Sequence, residues 1–173
     1  MTDHIDTITG DAPISFADRL IGSEFFNELF RTGMGLVEET ARYLDGPGRE
    51  ESRTLNRAGS LVYATESMRL TTQLMQLTSW LLLQRAVNEG EMTPSQAGQE
   101  KNKANLAALS SANEGPGWEE LPASLKDLID RSVHLQKRVQ QLDEAMSGET
   151  MPRPANTNPV NQQLTRLATA FGG

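Results

Sequence analysis

The side chains that could perform covalent or metal chemistry are few and poorly spaced. The chain contains two histidines, His4 and His134, and no cysteine, so it has no thiol nucleophile, disulfide or Cys-based metal site. No second histidine or cysteine stands at metal-ligand spacing. The acidic pairs Glu38-Glu39 and Glu119-Glu120 are consecutive, so their carboxylates do not share a helix face. The sequence therefore predicts no catalytic residue, no metal site and no cofactor, and function must come from binding surfaces.

Composition restricts the class of binding partner. The formal charge of −7 and the pI near 4.9 argue against a nucleic-acid partner, which requires a concentrated positive face. The acidic, polar N-terminus lacks the basic-then-apolar form of a signal peptide. The densest apolar run, residues 80–83, is far too short for membrane insertion. We therefore expect a soluble cytoplasmic protein with one domain.

The longest periodic stretch covers residues 50–89 and contains no proline and one glycine. Two rows of residues recur there at the steps of three and four that are typical of a helix. The first row is Leu61, Thr65, Met68, Thr72, Met75, Ser79, Leu82 and Ala86. The second row is Leu70, Leu74, Leu77 and Leu81. We expect one helix of roughly 60 Å at about 1.5 Å per residue, with other segments of the chain packed along both flanks because isolated helices are marginal in water.

Two further helices are predicted to pack on the long one. Residues 25–44 carry a broad apolar face, and the stop signal Asp45-Gly46-Pro47-Gly48 is short enough to make that helix an antiparallel neighbour. The segment 93–110 begins with an N-cap, a first-turn proline and a capping-box partner, which are Thr93, Pro94 and Gln96, but it is poor in large apolar residues, so we expect it on the surface. The last core helix repeats apolar or small residues over three heptads and is predicted to end at Ser147-Gly148. Its repeat is Leu125, Leu128, Ser132, Leu135, Val139, Leu142 and Met146.

These elements predict an all-α fold, an elongated antiparallel three-helix bundle with a long central helix and flexible N- and C-terminal tails. The bundle domain spans residues 15–147, after a mobile arm at 1–14. A linker at 148–158 precedes a short amphipathic tail helix at 159–171. Within the first bundle helix, Gly33 and Gly35 each cost about 1 kcal/mol of helix propensity relative to alanine. Close helix approach or a local bend is one explanation, and a ligand-approach site is the other.

A positive ridge is the first candidate binding surface. Arg49, Arg53 and Arg57 stand four residues apart, at the predicted start of the long helix. Acidic residues of the same chain could neutralise them, and the candidates are Glu38, Glu39 and Glu50. The alternative is an anchor for an acidic partner, since arginine binds carboxylates through two parallel hydrogen bonds.

The tail helix is the second candidate. Asn158 is a suitable N-cap, Pro159 a suitable first residue and Gly172 a suitable stop. Its apolar side is formed by Val160, Leu164, Leu167, Ala168 and Phe171. The segment is either a disordered tail or a fourth helix docked on the core, or it is a tethered helix that binds a groove on its own subunit, a second subunit or a client.

Three stretches carry a resemblance to a known family. They are FFNELFRTGMGLVEETARYLDGPGREESRTL, YATESMRLTTQLMQLTSWLLLQRAVNEGEM and LIDRSVHLQKRVQQLDEAM. Over residues 15–147 the chain resembles the RcdA (regulator of CtrA degradation) family of alphaproteobacterial ClpXP proteolytic adaptors. The resemblance implies a dimeric three-helix bundle with mobile tails. The family offers no catalytic motif that could be transferred to this chain.

By resemblance, the expected function is a non-enzymatic adaptor that delivers clients, cell-cycle transcription regulators such as CtrA, to the ClpXP protease. The family implies a response-regulator-like priming factor, a further cyclic-di-GMP-binding adaptor, a homodimer and recruitment to a cell pole. The alternative is a coiled-coil-like scaffold or polar organiser without a direct role in proteolysis.

Overall fold

The computed structural model describes residues 24–103 and 115–150. Within these ranges the chain forms α1 (Glu24–Asp45), α2 (Pro47–Arg53), α3 (Arg57–Asn88), α4 (Pro94–Lys103), a 3-10 turn (Trp118–Glu120) and α5 (Ala123–Thr150). The described residues contain no strand. The predicted arm at 1–14 and the tail at 151–173 lie outside the described residues.

Helices α1, α3 and α5 pack together in a three-helix bundle, which confirms the predicted fold class. The large side chains of the core include Leu29, Trp80 and Leu125, each with no exposed surface. All six residues of the α5 repeat from Leu125 to Leu142 are buried, and Met146 packs against the cluster at its edge. The heptad pattern of α5 therefore predicted its buried face correctly.

Three helices packed on one another must include at least one parallel pair, and here that pair is α3 and α5. Helix α1 is antiparallel to α5, because Arg131 contacts Glu39 while Arg138 contacts Glu28. Helix α3 runs parallel to α5, because Gln73 bonds Gln136 and Trp80 bonds Asp143, both at a separation of 63 residues. Because α3 and α5 are parallel, the residues just before α5 lie beside the start of α3.

Two contacts mark this approach to the start of α3. The 3-10 turn reaches α3, where a Cβ at Gly59 would lie 2.9 Å from the Glu120 carboxylate. Gly117, with φ of 90°, would place a Cβ 2.8 Å from Val62. Glycine at position 117 therefore permits both the left-handed backbone and the close approach to α3. Trp118 is partly buried and packs against the core, which anchors this turn to the bundle.

The predicted single helix over residues 50–89 is wrong at its start. Residues 50–53 belong to the short helix α2, and α3 begins only at Arg57. The break occurs because Asn56 adopts an extended conformation and its side chain accepts a 2.7 Å hydrogen bond from the Gly59 amide, which caps α3. The 32-residue α3 is therefore about 48 Å long, shorter than expected.

Helix α2 is held against α1 by a tyrosine. The Tyr43 hydroxyl donates a 2.7 Å hydrogen bond to the Glu51 carboxylate. Burial, and then this carboxylate partner, raise the pKa of Tyr43 well above its usual range. A Cβ at Gly48 would lie 2.6 Å from the Tyr63 hydroxyl, so glycine lets α2 pack closely on two tyrosines. The predicted stop is thus only Gly46, and Pro47 and Gly48 already belong to α2.

Helix α4 is less peripheral than predicted. Thr93 and Gln96 form the expected capping box, with the Gln96 amide donating to Thr93 Oγ1 at 3.2 Å and the Thr93 amide donating to Gln96 Oε1 at 3.1 Å. However, Ala97 is buried, and the Lys101 ammonium lies 4.2 Å from the centre of the Trp80 ring. A small residue and one long aliphatic side chain are enough to dock this polar helix. Helix α5 also departs from its prediction, continuing past Gly148 to Thr150.

Candidate protein-binding site

An apolar stripe covers the outward face of α3. It consists of Leu61, Met68, Met75 and Leu82, whose exposed fractions are 70%, 73%, 66% and 50%. These side chains are seven residues apart, so they lie along one line for about 32 Å of the helix. Four large apolar side chains spaced by heptads in the described surface are the pattern of a helix that pairs with another helix.

Hydroxyl side chains fill the intermediate positions of this stripe without making it polar. Thr65, Thr72 and Ser79 each donate to the carbonyl four residues earlier, at 3.0, 2.9 and 2.8 Å. Their hydroxyl hydrogens are therefore satisfied within α3. A partner that covers the stripe would not leave these donors without hydrogen bonds.

The position of the stripe corrects the expectation that both rows of α3 pack against other segments of the chain. Only the second row is buried, with Leu70, Leu74, Leu77 and Leu81 at 3% exposure or less. Helices α1 and α5 cover this side, and within the described ranges the large residues of the first row remain exposed. Both rows have helical spacing, so periodicity alone did not identify which row forms the core of the chain.

A buried polar cluster, which sequence reasoning missed, fixes the register of α3 and α5. The Gln73 side chain donates to Gln136 Oε1 at 2.5 Å and accepts from Ser132 Oγ at 3.2 Å, and all three residues are at 4% exposure or less. Seven residues further along, Trp80 Nε1 donates to Asp143 at 3.0 Å. These bonds are satisfied in one alignment of the two helices, so they hold the stripe on a rigid support.

Lys101 joins the second part of this cluster. Its ammonium donates to Gln84 Oε1 at 2.6 Å and lies 4.0 Å from Asp143. Burial lowers the pKa of Lys101, and the charge of Asp143 opposes that change. The cluster is explained by packing of α4 on the bundle.

The three predicted ridge arginines do not share one helix. Arg49 and Arg53 lie on α2, while Arg57 is the first residue of α3. Arg53 pairs with Glu50 at 2.9 Å, and Arg49 lies 3.9 Å from Asp45. The break at residues 54–56 separates them, so the predicted continuous ridge on the long helix is wrong, although all three side chains are exposed. Exposed pairs of this kind are weak, so the guanidinium groups remain available to an acidic partner.

The other acidic residues named as ridge partners are engaged elsewhere. Glu38 lies 3.4 Å from Arg42, and Glu39 makes two bonds with Arg131, at 2.8 and 2.6 Å. The hydrogen bond from Arg131 is the main cause that lowers the pKa of Glu39. Glu39 therefore connects α1 to α5 and does not neutralise the ridge.

A groove of about 720 Å³ lies along the seam between α1 and the end of α3. Its apolar lining comes from Phe26, Phe30 and Met34, and the Arg85 guanidinium stacks 4.9 Å from the centre of the Phe30 ring. Gly35 forms part of one wall. The groove spans two helices that are distant in sequence, so no local pattern indicated it.

Other chemistry is sparse in the described part of the chain. Residues 24–103 and 115–150 hold no group of three or more side chains that could bind a metal ion. His134 is exposed, and its Nδ1 lies 2.8 Å from the Asp130 carbonyl oxygen, one helical turn away. None of the helices described is long and apolar enough to cross a bilayer.

The comparisons with known proteins agree with this architecture. The profile of a family described as "Protein of unknown function (DUF1465)" matches residues 17–171. The chain belongs to the DUF1465 family. The crystal structure of RcdA from Caulobacter crescentus CB15 is similar to this DUF1465 member, with 52% sequence identity and a TM-score of 0.60 over 72% of this chain and 92% of that chain. This similarity confirms the resemblance to the RcdA family. The comparison with curated proteins gives no significant match.

The DUF1465 match includes the predicted tail helix. Its four candidate binding residues, Val160, Leu164, Leu167 and Phe171, lie outside the described residues. Their role in binding stays a prediction.

Proposed function

We propose that this chain is a non-enzymatic adaptor that delivers client proteins to the ClpXP protease. The observation that carries the proposal is the 52% identity to RcdA over most of that chain, together with the expectation that members of that family act as proteolytic adaptors. The clients we propose are cell-cycle transcription regulators such as CtrA. A response-regulator-like factor primes the protease, a cyclic-di-GMP-binding adaptor extends the range of cargo, and the chain works in the cytoplasm with recruitment to a cell pole.

The apolar stripe supports the interaction part of this proposal. An adaptor acts by holding two proteins close together, so it needs stable surfaces that bind other chains. The stripe on α3 is such a surface, since its large side chains are half to three-quarters exposed while the opposite row anchors the helix in the core. The buried Gln73–Gln136 bond holds α3 in place on α5 while the stripe is engaged.

We further propose that the stripe is the homodimer interface. Its heptad spacing and its internally bonded hydroxyls suit a second copy of the same helix, because a two-fold axis brings the same patch of both chains together. The exposed α2 arginines, Arg49 and Arg53, and the neighbouring Arg57 then remain accessible to an acidic partner at the start of α3.

Reconstituted proteolysis tests the adaptor proposal. The degradation rate of a CtrA client by ClpXP and the priming factor is measured with and without this chain. The proposal predicts a faster rate with the chain. An unchanged rate at every combination of partners favours the alternative, a scaffold or polar organiser without a direct role in proteolysis.

A further inference from the structure

The wall of the α1–α3 groove contains a glycine, Gly35, that packing within the core does not require. Gly33 and Gly35 both interrupt α1, but a Cβ at Gly33 would lie 2.7 Å from Leu81 Cδ1, whereas a Cβ at Gly35 would meet nothing within 4 Å. Gly33 is therefore required by helix packing. Gly35 lowers the helix propensity of α1 and leaves bare backbone beside the apolar lining of the groove. Such a surface lets another helix approach α1 closely.

We propose that this groove is the docking site of the chain's own C-terminal segment, residues 160–171. The segment is long enough for the groove. The lining of α1 extends from Phe26 to Glu38, which is about 18 Å along the helix, and a helix over residues 160–171 is about 17 Å long. The apolar residues of the segment, Val160, Leu164, Leu167 and Phe171, recur on one side, as a helix lying in a groove requires.

The parallel arrangement of α3 and α5 brings the end of α5, from which this segment continues, level with the groove. The separation of 63 residues that joins Gln73 to Gln136 and Trp80 to Asp143 puts Thr150, the last residue of α5, level with Val87. The α3 side of the groove is formed by Arg85, Asn88 and Glu89, at the same level. The eight residues 151–158 span at most about 28 Å, which is enough to cross the end of a three-helix bundle whose neighbouring axes are about 8–10 Å apart.

The groove lining is balanced in charge, with Arg31 and Arg85 against Glu38 and Glu89, but the charge of the whole body favours this segment over an external acidic helix as the resident occupant. Residues 151–173 contain Arg153 and Arg166 and no acidic residue, so they carry +2, while the whole chain carries −7. The remaining residues 1–150 therefore carry −9. A basic tail on a short tether is attracted to this body and has a high effective concentration beside it. The DUF1465 profile extends to residue 171, so the segment belongs to the same family unit as the groove.

The test uses the full-length chain and its lack of cysteine. An Asn161→Cys variant carries a single thiol at the start of the segment, which is modified with a nitroxide spin label, and line broadening of backbone amide signals is measured by NMR. Chain that is both spin-labelled and isotope-enriched is diluted with an excess of chain that carries neither the spin label nor the isotopes. Only broadening within one chain is then observed. The expected result is broadening of residues 27–38 and 85–89, and much weaker broadening of residues 57–66 at the other end of α3.

Two glycine variants provide a matched pair. Gly35→Ala adds a methyl group to the groove wall and is expected to lower the ratio of docked to free segment about tenfold, the size of a modest overpacking penalty. Gly98→Ala adds the same group to α4, where a Cβ also meets nothing within 4 Å, and is expected to leave the ratio unchanged. Replacing both Leu164 and Leu167 with Glu should abolish the broadening of the groove.

Three outcomes would overturn the proposal. The first is equal broadening at both ends of α3, or none. The second is broadening of groove signals only in a mixture of two chains, one spin-labelled at natural isotope abundance and the other isotope-enriched without a spin label. That result would place the segment on a second copy. The third is insensitivity of the groove signals to Gly35→Ala. The measurement involves no protease or client, so its failure leaves the proposed adaptor function unaffected.

Discussion

Truncation of the two methionines of the stripe gives a quantitative test of the homodimer interface. Met68 and Met75 are 73% and 66% exposed, so about two-thirds of each residue is available for burial by a partner. Full burial of a methionine side chain contributes roughly 1.5–3 kcal/mol. The available part is therefore worth about 1–2 kcal/mol, of which replacement by alanine removes about 1 kcal/mol.

A two-fold symmetric dimer contains four of these side chains, so the double variant Met68→Ala with Met75→Ala should weaken association by about 4 kcal/mol. Since each 1.4 kcal/mol is a factor of about ten, the dimer dissociation constant should rise about a thousandfold. The folding stability of the isolated chain should change by no more than about 0.5 kcal/mol per site, because exposed side chains contribute little to it.

Sedimentation equilibrium measures the dissociation constant, and circular dichroism confirms that helicity is retained. Met92→Ala, which removes a methionine outside the stripe, is the matched control and should leave dimerisation unchanged. Leu77→Ala is the opposite control, because its side chain is 1% exposed and its truncation should cost about 2–5 kcal/mol of folding stability. A wild-type chain that is monomeric at all concentrations, or a double variant with an unchanged dissociation constant, would refute the assignment of the stripe.

Three further predictions concern the bundle and the ridge. Gly33→Ala should lower the free energy of unfolding by roughly 1 kcal/mol in a denaturant titration, because about 1–3 kcal/mol of overpacking exceeds the helix propensity gained. The pKa of Glu39 is lowered in the folded chain. Its pairing with Arg131 therefore stabilises the fold at pH values above the unfolded-state pKa of about 4.3. This stabilisation is lost as the pH falls through the lowered pKa of the folded state. Arg131→Gln should therefore be less stable than wild type at pH 7, by under about 1 kcal/mol for a half-exposed pair, and equally stable at pH 2; a gap that persists in acid would contradict this. Replacing Arg53 and Arg57 with Glu should weaken one partner interaction in a pull-down without loss of helicity, and the survival of every interaction would leave the ridge with no binding role.

Much of the bundle was accessible from sequence because its helices carry simple local signals. Helix α5 has one apolar stripe, and that stripe is its buried face. Helix α1 ends at Asp45, the first residue of the predicted stop, and α4 begins with the predicted capping box. In each case the residues that decide the structure are within one or two helical turns of one another.

The remaining features depend on residues that are far apart in the chain. The two rows of α3 have the same spacing, and only the positions of α1 and α5 determine that Leu77 is buried while Met75 is exposed. The break before Arg57 contains no proline or glycine, and Asn56 was not recognised as an N-cap because the helical pattern continues on both sides. The parallel packing of α3 and α5 is set by Gln73 and Gln136, whose pairing has no local signature.

The candidate sites also combine features that local sequence patterns indicate with features that only the fold reveals. The exposed arginines were identified by spacing, but their distribution over two helices became visible only in the fold. The α1–α3 groove combines Phe30 from the first helix with Arg85 from the end of the third. The residues of the stripe were all named from periodicity, and only their solvent exposure, which periodicity does not report, identifies them as an interface.

The most direct test of the adaptor account is the dependence of client degradation on the concentration of this chain. A molecule that tethers a client to ClpXP raises the degradation rate at low concentration and inhibits at high concentration, because separate copies then occupy the protease and the client. With the priming factor present, the account predicts a rise followed by a fall in the initial rate. A rate that does not change over the whole titration would contradict the account.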